Sequence, residues 1–234
     1  RMIAIVLTLG PRDLPAEEGQ ARVAERAGVP AGRVVRVDRL AERALSARDE
    51  VLEGLLPDGE SFVIGCSRPR AAQALLDFAG IEHRSRAITW VALPFDRDAL
   101  KREYGVPWYP VIDRSRCTGC GTCLEYCLFS VYTPADAAAA SERVRVSAPL
   151  HCKTGCPACA RLCPEGALIF PFCSEPALNG EIAEPERRSR DALAAELGED
   201  PLRLLAERRL KKRLIDPDKF SQAERDRVLY SGVL

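Results

Sequence analysis

Histidine is nearly missing from this sequence, which contains only His83 and His151 among its 234 residues. A catalytic centre built on histidine is therefore almost excluded. An excess of one charge is missing as well, because 34 basic residues balance 34 acidic ones. Proteins that bind nucleic acid usually carry a basic excess, so the zero net charge disfavours that class of partner.

Long apolar runs and nucleotide-binding motifs are also missing. Even Met2–Leu9 has only the length of a strand, far short of a membrane span. No secretory signal is recognisable, no G-x-G-x-x-G follows the first apolar run, and no P-loop lysine motif occurs. We therefore expect a soluble, cytoplasmic protein without a membrane span. Classical dinucleotide or ATP binding has no support.

Cysteine, in contrast, is abundant. Eight of the ten cysteines form two tandem runs, C-x2-C-x2-C-x3-C at Cys117, Cys120, Cys123 and Cys127, and C-x3-C-x2-C-x3-C-P at Cys152, Cys156, Cys159 and Cys163. Zinc sites draw four ligands from two separated pairs, whereas each run here holds four closely spaced thiols. The spacing favours [4Fe–4S] clusters over zinc, and the missing secretory signal disfavours disulfides.

The segment from about residue 111 to 171 resembles a bacterial-type dicluster 2[4Fe–4S] ferredoxin domain. The strings C-T-G-C-G-T-C-L-E-Y-C and C-P-A-C-A-R-L-C-P-E-G-A-L carry the resemblance. In that family the fourth cysteine of each run reaches across to the other cluster. The resemblance therefore implies two [4Fe–4S] clusters: cluster one on Cys117, Cys120, Cys123 and Cys163, and cluster two on Cys127, Cys152, Cys156 and Cys159.

The two halves of this segment look like an internal duplication. Val111–Asp113 precedes the first run as Val144–Val146 precedes the second, and Phe129–Tyr132 follows one as Leu168–Phe170 follows the other. We expect a repeated order of short strand, cluster loop, helical turn and short strand, as in an α+β ferredoxin-like fold. The sequence also departs from the family pattern through an extra residue in the loop 153–155, Leu128 in place of proline, and an insertion at 133–142. None of these departures removes a ligand.

The two remaining cysteines and one histidine are weaker candidates. Cys66 ends an apolar run, where cysteine is usually a small buried hydrophobe. Cys173 lies ten residues beyond the last ligand and is expected to pack near cluster two. His151 precedes Cys152 directly and is expected to be a neighbour of the cluster, although a ligand role is the alternative.

The N-terminal residues 1–95 predict an α/β domain with a small parallel, Rossmann-like sheet. Continuous apolar strands alternate with amphipathic helices, which is typical of parallel sheets covered on both faces. Strands are expected over Met2–Leu9, Val34–Val37, Phe62–Cys66 and Ala87–Leu93, and helical segments over 16–27, 39–56 and 69–79.

One turn of this domain is a candidate ligand site. Parallel sheets bind ligands beyond the carboxyl ends of their strands, and the third strand ends in Cys66, Ser67, Arg68 and, after Pro69, Arg70. A helix N-terminus beside two arginines suits an anion or an organic cofactor. The alternative is an ordinary helix start with Ser67 as its N-cap.

The rest of the chain connects and extends these domains. Residues 96–110 predict a connector with a short helix, in which Trp108 and Tyr109 pack the two domains together. The 2[4Fe–4S] domain is expected over 111–175. Residues 176–234 predict a helical, charged C-terminal extension that wraps the other domains or docks a redox partner.

The leading functional hypothesis is an electron-transfer iron–sulfur protein that serves as a subunit or accessory of a larger redox enzyme, with a redox protein as its partner. One alternative is a small iron–sulfur reductase whose N-terminal domain binds a substrate or organic cofactor. Another is a partner-binding module in which the clusters are structural. The first is preferred because no catalytic constellation is visible outside the cysteine runs.

Overall fold

The computed structural model describes residues 1–11, 16–46, 48–96, 98 and 106–187. Residues 1–186 form one compact unit. The helix predicted in the connector falls almost wholly outside the described residues, and so do the helices predicted in the C-terminal extension beyond residue 187.

Four parallel strands form the sheet of the N-terminal domain: β1 (Met2–Leu7), β2 (Val35–Val37), β3 (Ser61–Cys66) and β4 (Ala87–Ala92). Their order is β2-β1-β3-β4, with Ile5 opposite both Val35 and Ile64. The central strands β1 and β3 are buried along most of their length, as continuous apolar runs require. The predicted α/β sheet is confirmed, and each strand lies within two residues of its predicted bounds.

Helices cover both faces of this sheet. On one face, α1 (Ala16–Ala27) contributes Val23, which packs with Ala4, Val6 and Val63. Gly65 allows this approach, because a Cβ at that position would lie 2.2 Å from Cγ2 of Val23. The other face packs against three further helices: α2 (Leu40–Arg43), α3 (Glu50–Glu53) and α4 (Pro69–Phe78).

Two local predictions can be compared with the structure, and one of them needs correction. The helical segments predicted over 39–56 are confirmed as two short helices, and the second is capped by Asp49, whose carboxylate accepts hydrogen bonds from the backbone N–H groups of Val51 and Leu52. The helix α4 begins at Pro69 with Arg68 at the N-cap, so the alternative that made Ser67 the cap is wrong. Proline suits the first helical position, where its missing N–H needs no partner.

The cysteine-rich segment contains two copies of a strand–helix–strand order. The first copy is β5 (Val111–Ile112), α5 (Thr122–Tyr126) and β6 (Tyr132–Pro134), and the second is β7 (Val144–Val146), α6 (Ala158–Leu162) and β8 (Leu168–Ile169). The strands pair antiparallel between the copies, β5 with β8 and β6 with β7. Each small sheet therefore joins one strand from each half, and this brings the two cysteine runs together.

The sheet domain and the cysteine-rich segment share one hydrophobic core. Tyr109 and Phe172 belong to the same buried cluster as Ile64 and Leu75 of the sheet domain. The Tyr109 hydroxyl donates a hydrogen bond to the backbone carbonyl of Ala41, and its ring lies 5.4 Å from that of Phe78.

The neighbouring Trp108 packs on the other side of this contact, against the cysteine-rich segment. Its ring stacks on Phe170 at 5.3 Å between centroids, inside the buried cluster that surrounds the cysteines. Two consecutive aromatic residues thus pack on opposite sides of the contact, and the predicted role of Trp108 and Tyr109 is confirmed.

We predict that Tyr109→Ala lowers the free energy of unfolding by about 3–5 kcal/mol, since it empties a buried ring position between the two parts of the unit. Tyr109→Phe keeps the ring and should cost only about 1 kcal/mol, the usual net value of one hydrogen bond. Chemical denaturation followed by circular dichroism measures both. Equal stability of the wild type and the alanine variant would contradict a packing role.

Candidate iron–sulfur site

Three cysteines of the first run and one of the second line a single pocket. Cys117 and Cys120 lie in the loop between β5 and α5, Cys123 lies in α5, and Cys163 follows α6. The rest of the lining is mostly glycine and apolar side chains, among them Ile112, Gly119, Gly121, Val144 and Leu168. Thiols from both runs therefore face a pocket whose lining has few polar groups other than the cysteine sulfurs.

Glycine makes the loop around this pocket possible. Gly119 and Gly121 have φ values of +68° and +80°, which residues with a Cβ rarely adopt. A Cβ at Gly119 would also lie 2.1 Å from the carbonyl oxygen of Ala140. The loop is anchored at its start, where the backbone N–H of Cys117 donates to the carbonyl of Asp113 at 3.0 Å.

The remaining cysteines of the two runs form a second group. Cys127 follows α5, Cys152 follows a 3-10 helix over Pro149–His151, and Cys159 lies in α6. Burial raises the pKa of Cys152 to about 12, and the nearby Cys159, Cys156 and Cys127 raise it further by charge repulsion. Residues 153–155 form a turn closed by a hydrogen bond from the N–H of Cys156 to the carbonyl of Lys153.

Burial is the largest influence on the thiols of both groups. It raises the pKa of Cys123 and of Cys159 from 9.0 to about 12. A thiolate in such surroundings is unfavourable without a positive partner, because burial penalises the charged form. Iron supplies that positive charge and prefers soft thiolate donors, so these residues fit a [4Fe–4S] cluster.

Hydrogen bonds from hydroxyl and backbone N–H groups reach several cysteine sulfurs in these groups. The hydroxyl of Tyr132 donates to Sγ of Cys159 at 3.0 Å, and Oγ1 of Thr122 lies 3.3 Å from Sγ of Cys120. The backbone N–H of Ala167 donates to Sγ of Cys163 at 3.3 Å. Such bonds tune the electronic properties of an iron–sulfur site. Tyr132 and Thr122 were not predicted from the sequence, because the cysteine motif says nothing about which hydroxyl reaches a sulfur.

The alternatives to iron were disulfides and zinc. All ten cysteines lie in the described part of the chain and none forms a disulfide. Among the same residues, no group of three or more His, Cys, Asp or Glu is placed to hold a single metal ion.

The weaker candidates occupy different places. Cys173 is buried in the same hydrophobic cluster as Cys159 and Tyr132. His151 is exposed beside Cys152. Cys66 is fully buried in the core of the sheet domain.

The candidate ligand turn after β3 lies against the cysteine-rich segment. Arg68 is fully buried, its guanidinium lies 4.8 Å from the centre of the Phe95 ring, and it donates to the carbonyl of Pro171. The chain that follows the cluster domain also covers the start of α4, since a Cβ at Gly180 would come within 2.9 Å of the backbone nitrogen of Ala71.

Arg70 connects α4 directly to the cluster loops. Its Nε donates to Oδ2 of Asp113 at 2.7 Å, both side chains are 8% exposed, and a second nitrogen donates to the carbonyl of Gly166. Asp113 starts the loop to Cys117, and Gly166 lies three residues beyond Cys163. Burial lowers the pKa of Arg70, while the Asp113 carboxylate opposes this shift. Through the ion pair and the hydrogen bond, Arg70 thus links the sheet domain to the chain segments on both sides of the first pocket.

Comparison with known proteins agrees with this geometry. The family described as 4Fe-4S binding domain matches residues 108–127, which contain the first cysteine run. An uncharacterized ferredoxin of Methanocaldococcus jannaschii is 38% identical over 84 residues, which cover 32% of this chain and 54% of that protein. The chain thus spans about half the length of this curated relative. No solved structure matches the chain significantly.

The chain therefore contains a ferredoxin-type iron–sulfur domain. The family match and the fit of the cysteine residues support an iron–sulfur cluster of the [4Fe–4S] type in this domain. Within the described residues, none of the helices is both long and apolar enough to cross a membrane.

The raised thiol pKa values predict how pH affects the iron-free protein. Folded thiols with a pKa of about 12 hold protons that the unfolded thiols, near 9.0, release. The stability that these protonated thiols contribute is therefore fully present below about pH 9 and is lost as the pH rises towards 12. Denaturation curves between pH 8 and 11 measure this loss.

Two controls separate the thiols from other groups that titrate at high pH. The iron-loaded protein should lose less stability over the same range, because thiolates bound to iron no longer titrate. Iron-free Cys123→Ser should also lose less than the iron-free wild type. The same loss in all three proteins would contradict the assignment to buried thiols.

The Arg70–Asp113 pair gives a second prediction. Arg70→Met leaves a buried carboxylate without its cation and should destabilise the protein by about 3–5 kcal/mol. Removing both charges in Arg70→Met/Asp113→Asn should cost clearly less than the single change. Thermal unfolding of the loaded proteins measures both, and equal losses would show that the ion pair is not the cause.

Proposed function

We propose that the chain carries two [4Fe–4S] clusters and relays single electrons within a larger redox enzyme, as a subunit or accessory. Cluster one would be held by Cys117, Cys120, Cys123 and Cys163, and cluster two by Cys127, Cys152, Cys156 and Cys159. One observation carries the proposal: each group of thiols takes three members from one run and the fourth from the other. That exchange is the ligand pattern of dicluster ferredoxins.

The two groups are close enough to support electron exchange within the chain. The thiol of Cys123 in the first group feels the charge of Cys159 in the second. The helices α5 and α6, which carry these two residues, pack against each other. The duplicated strand–helix–strand order supports a ferredoxin-like fold for residues 111–175.

For the sheet domain we propose the role of a platform that holds the cluster domain and presents it to a redox protein. Ligands of parallel sheets bind beyond the carboxyl ends of the strands. Here that edge contacts the chain itself, through Arg68 after β3 and through Tyr109 against Ala41 of α2. We propose the cytoplasm as the compartment, because free thiols and cluster assembly need reducing conditions.

The small-reductase alternative has one observation in its favour. An open groove of about 640 Å³ runs between the end of α4 and β7, and Ile112 lines both this groove and the pocket of the first cysteine group. Charged side chains of both signs surround it: Asp77, Glu82, Arg84, Arg114, Glu142 and Arg145. A reductase of this kind should retain an organic chromophore after its iron is removed, or reduce a substrate without partner proteins. The relay should do neither.

The cluster count is tested by iron and sulfide analysis after anaerobic purification. Two cubanes predict about eight iron and eight sulfide per chain. The double variant Cys117→Ala/Cys120→Ala should retain about four of each, and its reduced electron paramagnetic resonance spectrum should lose the splitting that two interacting clusters produce.

Cys173→Ser is the matched control, because it alters a buried cysteine that the proposal leaves outside both clusters. It should retain about eight iron per chain. Four or fewer iron in the wild type, or zinc in their place, would defeat the two-cluster proposal.

A further inference from the structure

We infer that the hydroxyl of Tyr132 raises the reduction potential of cluster two through its hydrogen bond to Cys159. The inference rests on the proposed function, in which Cys159 is a ligand of that cluster. The Tyr132 oxygen lies 3.0 Å from the sulfur, and the side chain is 4% exposed. A hydroxyl at this distance, shielded from water, has the geometry of a specific donor to a metal-bound thiolate.

The strand that carries Tyr132 holds the hydroxyl in position. Tyr132 pairs with Val146 of β7, and the carbonyl of the preceding Val131 accepts hydrogen bonds from the N–H groups of Ser147 and Ala148 at 2.9 and 3.1 Å. A shift of one residue in this pairing would turn Tyr132 to the opposite face. The donor is therefore fixed by the backbone of both halves of the cluster domain.

The internal duplication gives Tyr132 an equivalent position in the other half of the segment, and a different type of residue occupies it. Tyr132 lies five residues after Cys127, and Leu168 lies five residues after Cys163. Leu168 lines the pocket of the first group together with Cys123. At equivalent places, the second group thus receives a hydroxyl and the first a hydrocarbon side chain.

The first group has a hydroxyl of its own, at a different place. Oγ1 of Thr122 lies 3.3 Å from Sγ of Cys120, and Cys120 is an exposed cysteine, whereas Cys159 is buried. The Tyr132 bond is both shorter and less accessible to water. Since a hydrogen bond is electrostatically stronger in a low-dielectric interior, the Tyr132 bond should have the larger effect.

The direction of the effect follows from charge. Reduction adds one electron to the cluster and so increases the negative charge on its sulfurs. A donor to a ligating sulfur stabilises the more negative, reduced form more than the oxidised form, and the potential rises. Cluster two would then hold the transferred electron more readily than it would without Tyr132.

Tyr132→Phe tests this inference, because it removes only the hydroxyl. The one-electron reduction constant of cluster two should fall about tenfold, equivalent to a potential about 59 mV lower. The potential of cluster one should stay unchanged. A redox titration of the full-length loaded protein, followed by electron paramagnetic resonance, measures both. Tyr126→Phe is the matched control: it removes a tyrosine hydroxyl from α5 and should leave both potentials unchanged.

A second measurement covers the case in which the phenylalanine variant loses iron. Incorporation of 3-fluorotyrosine at position 132 keeps the ring and gives a more acidic hydroxyl, which is a stronger donor. The potential of cluster two should then rise, opposite to the effect of phenylalanine. Resonance Raman spectra in heavy water should show an isotope shift of an iron–sulfur stretch in the wild type, and Tyr132→Phe should show a smaller shift.

The outcomes separate the inference from the proposed function. About eight iron per chain with an unchanged potential in Tyr132→Phe, or a fluorotyrosine protein with no rise, overturns the role of Tyr132 alone. Four or fewer iron in the wild type overturns the two-cluster assignment on which it rests. A potential change of equal size in Tyr126→Phe would show that the effect is not specific to the Cys159 sulfur.

Discussion

Burial of cysteine thiols is the constraint on which this structure depends. Folding brings thiols from two separate runs into an apolar interior, where the pKa of several of them rises to about 12. Their thiolate forms are favourable there only when a metal cation such as iron compensates the negative charge. A bound cluster would stabilise the folded form, because its ligands are thiolates that the buried site otherwise disfavours.

Burial of charged groups also characterises the contact between the sheet domain and the cysteine-rich segment. The guanidinium groups of Arg68 and Arg70 are removed from water, and each is stabilised by groups of the opposite domain, Pro171 in one case and Asp113 in the other. A shared core that contains Tyr109 and Phe172 surrounds these polar contacts. These contacts hold the loops that carry the cysteines in a defined orientation against the sheet domain.

Local patterns were sufficient for several features of the fold. The strands of the sheet follow from apolar runs bounded by glycine and polar residues, and α1 follows from its helical spacing and the glycine behind it. Helix starts were less predictable. The helix predicted after β3 begins at Pro69 with Arg68 at the N-cap, whereas the sequence favoured Ser67 as the cap. The anion site suggested for the turn after β3 stays a prediction, and both of its arginines contact the cysteine-rich segment.

Residue type and spacing along the chain were enough to identify iron–sulfur chemistry, since four thiols within a short loop have few other uses. They were also enough for a parallel sheet, because its strands are apolar throughout. Packing established the rest: that Arg70 meets Asp113, 43 residues away, and that Tyr132 meets Cys159 rather than solvent. Contacts of this kind depend on how separate elements are placed against each other, and periodicity within a single element carries no information about that placement.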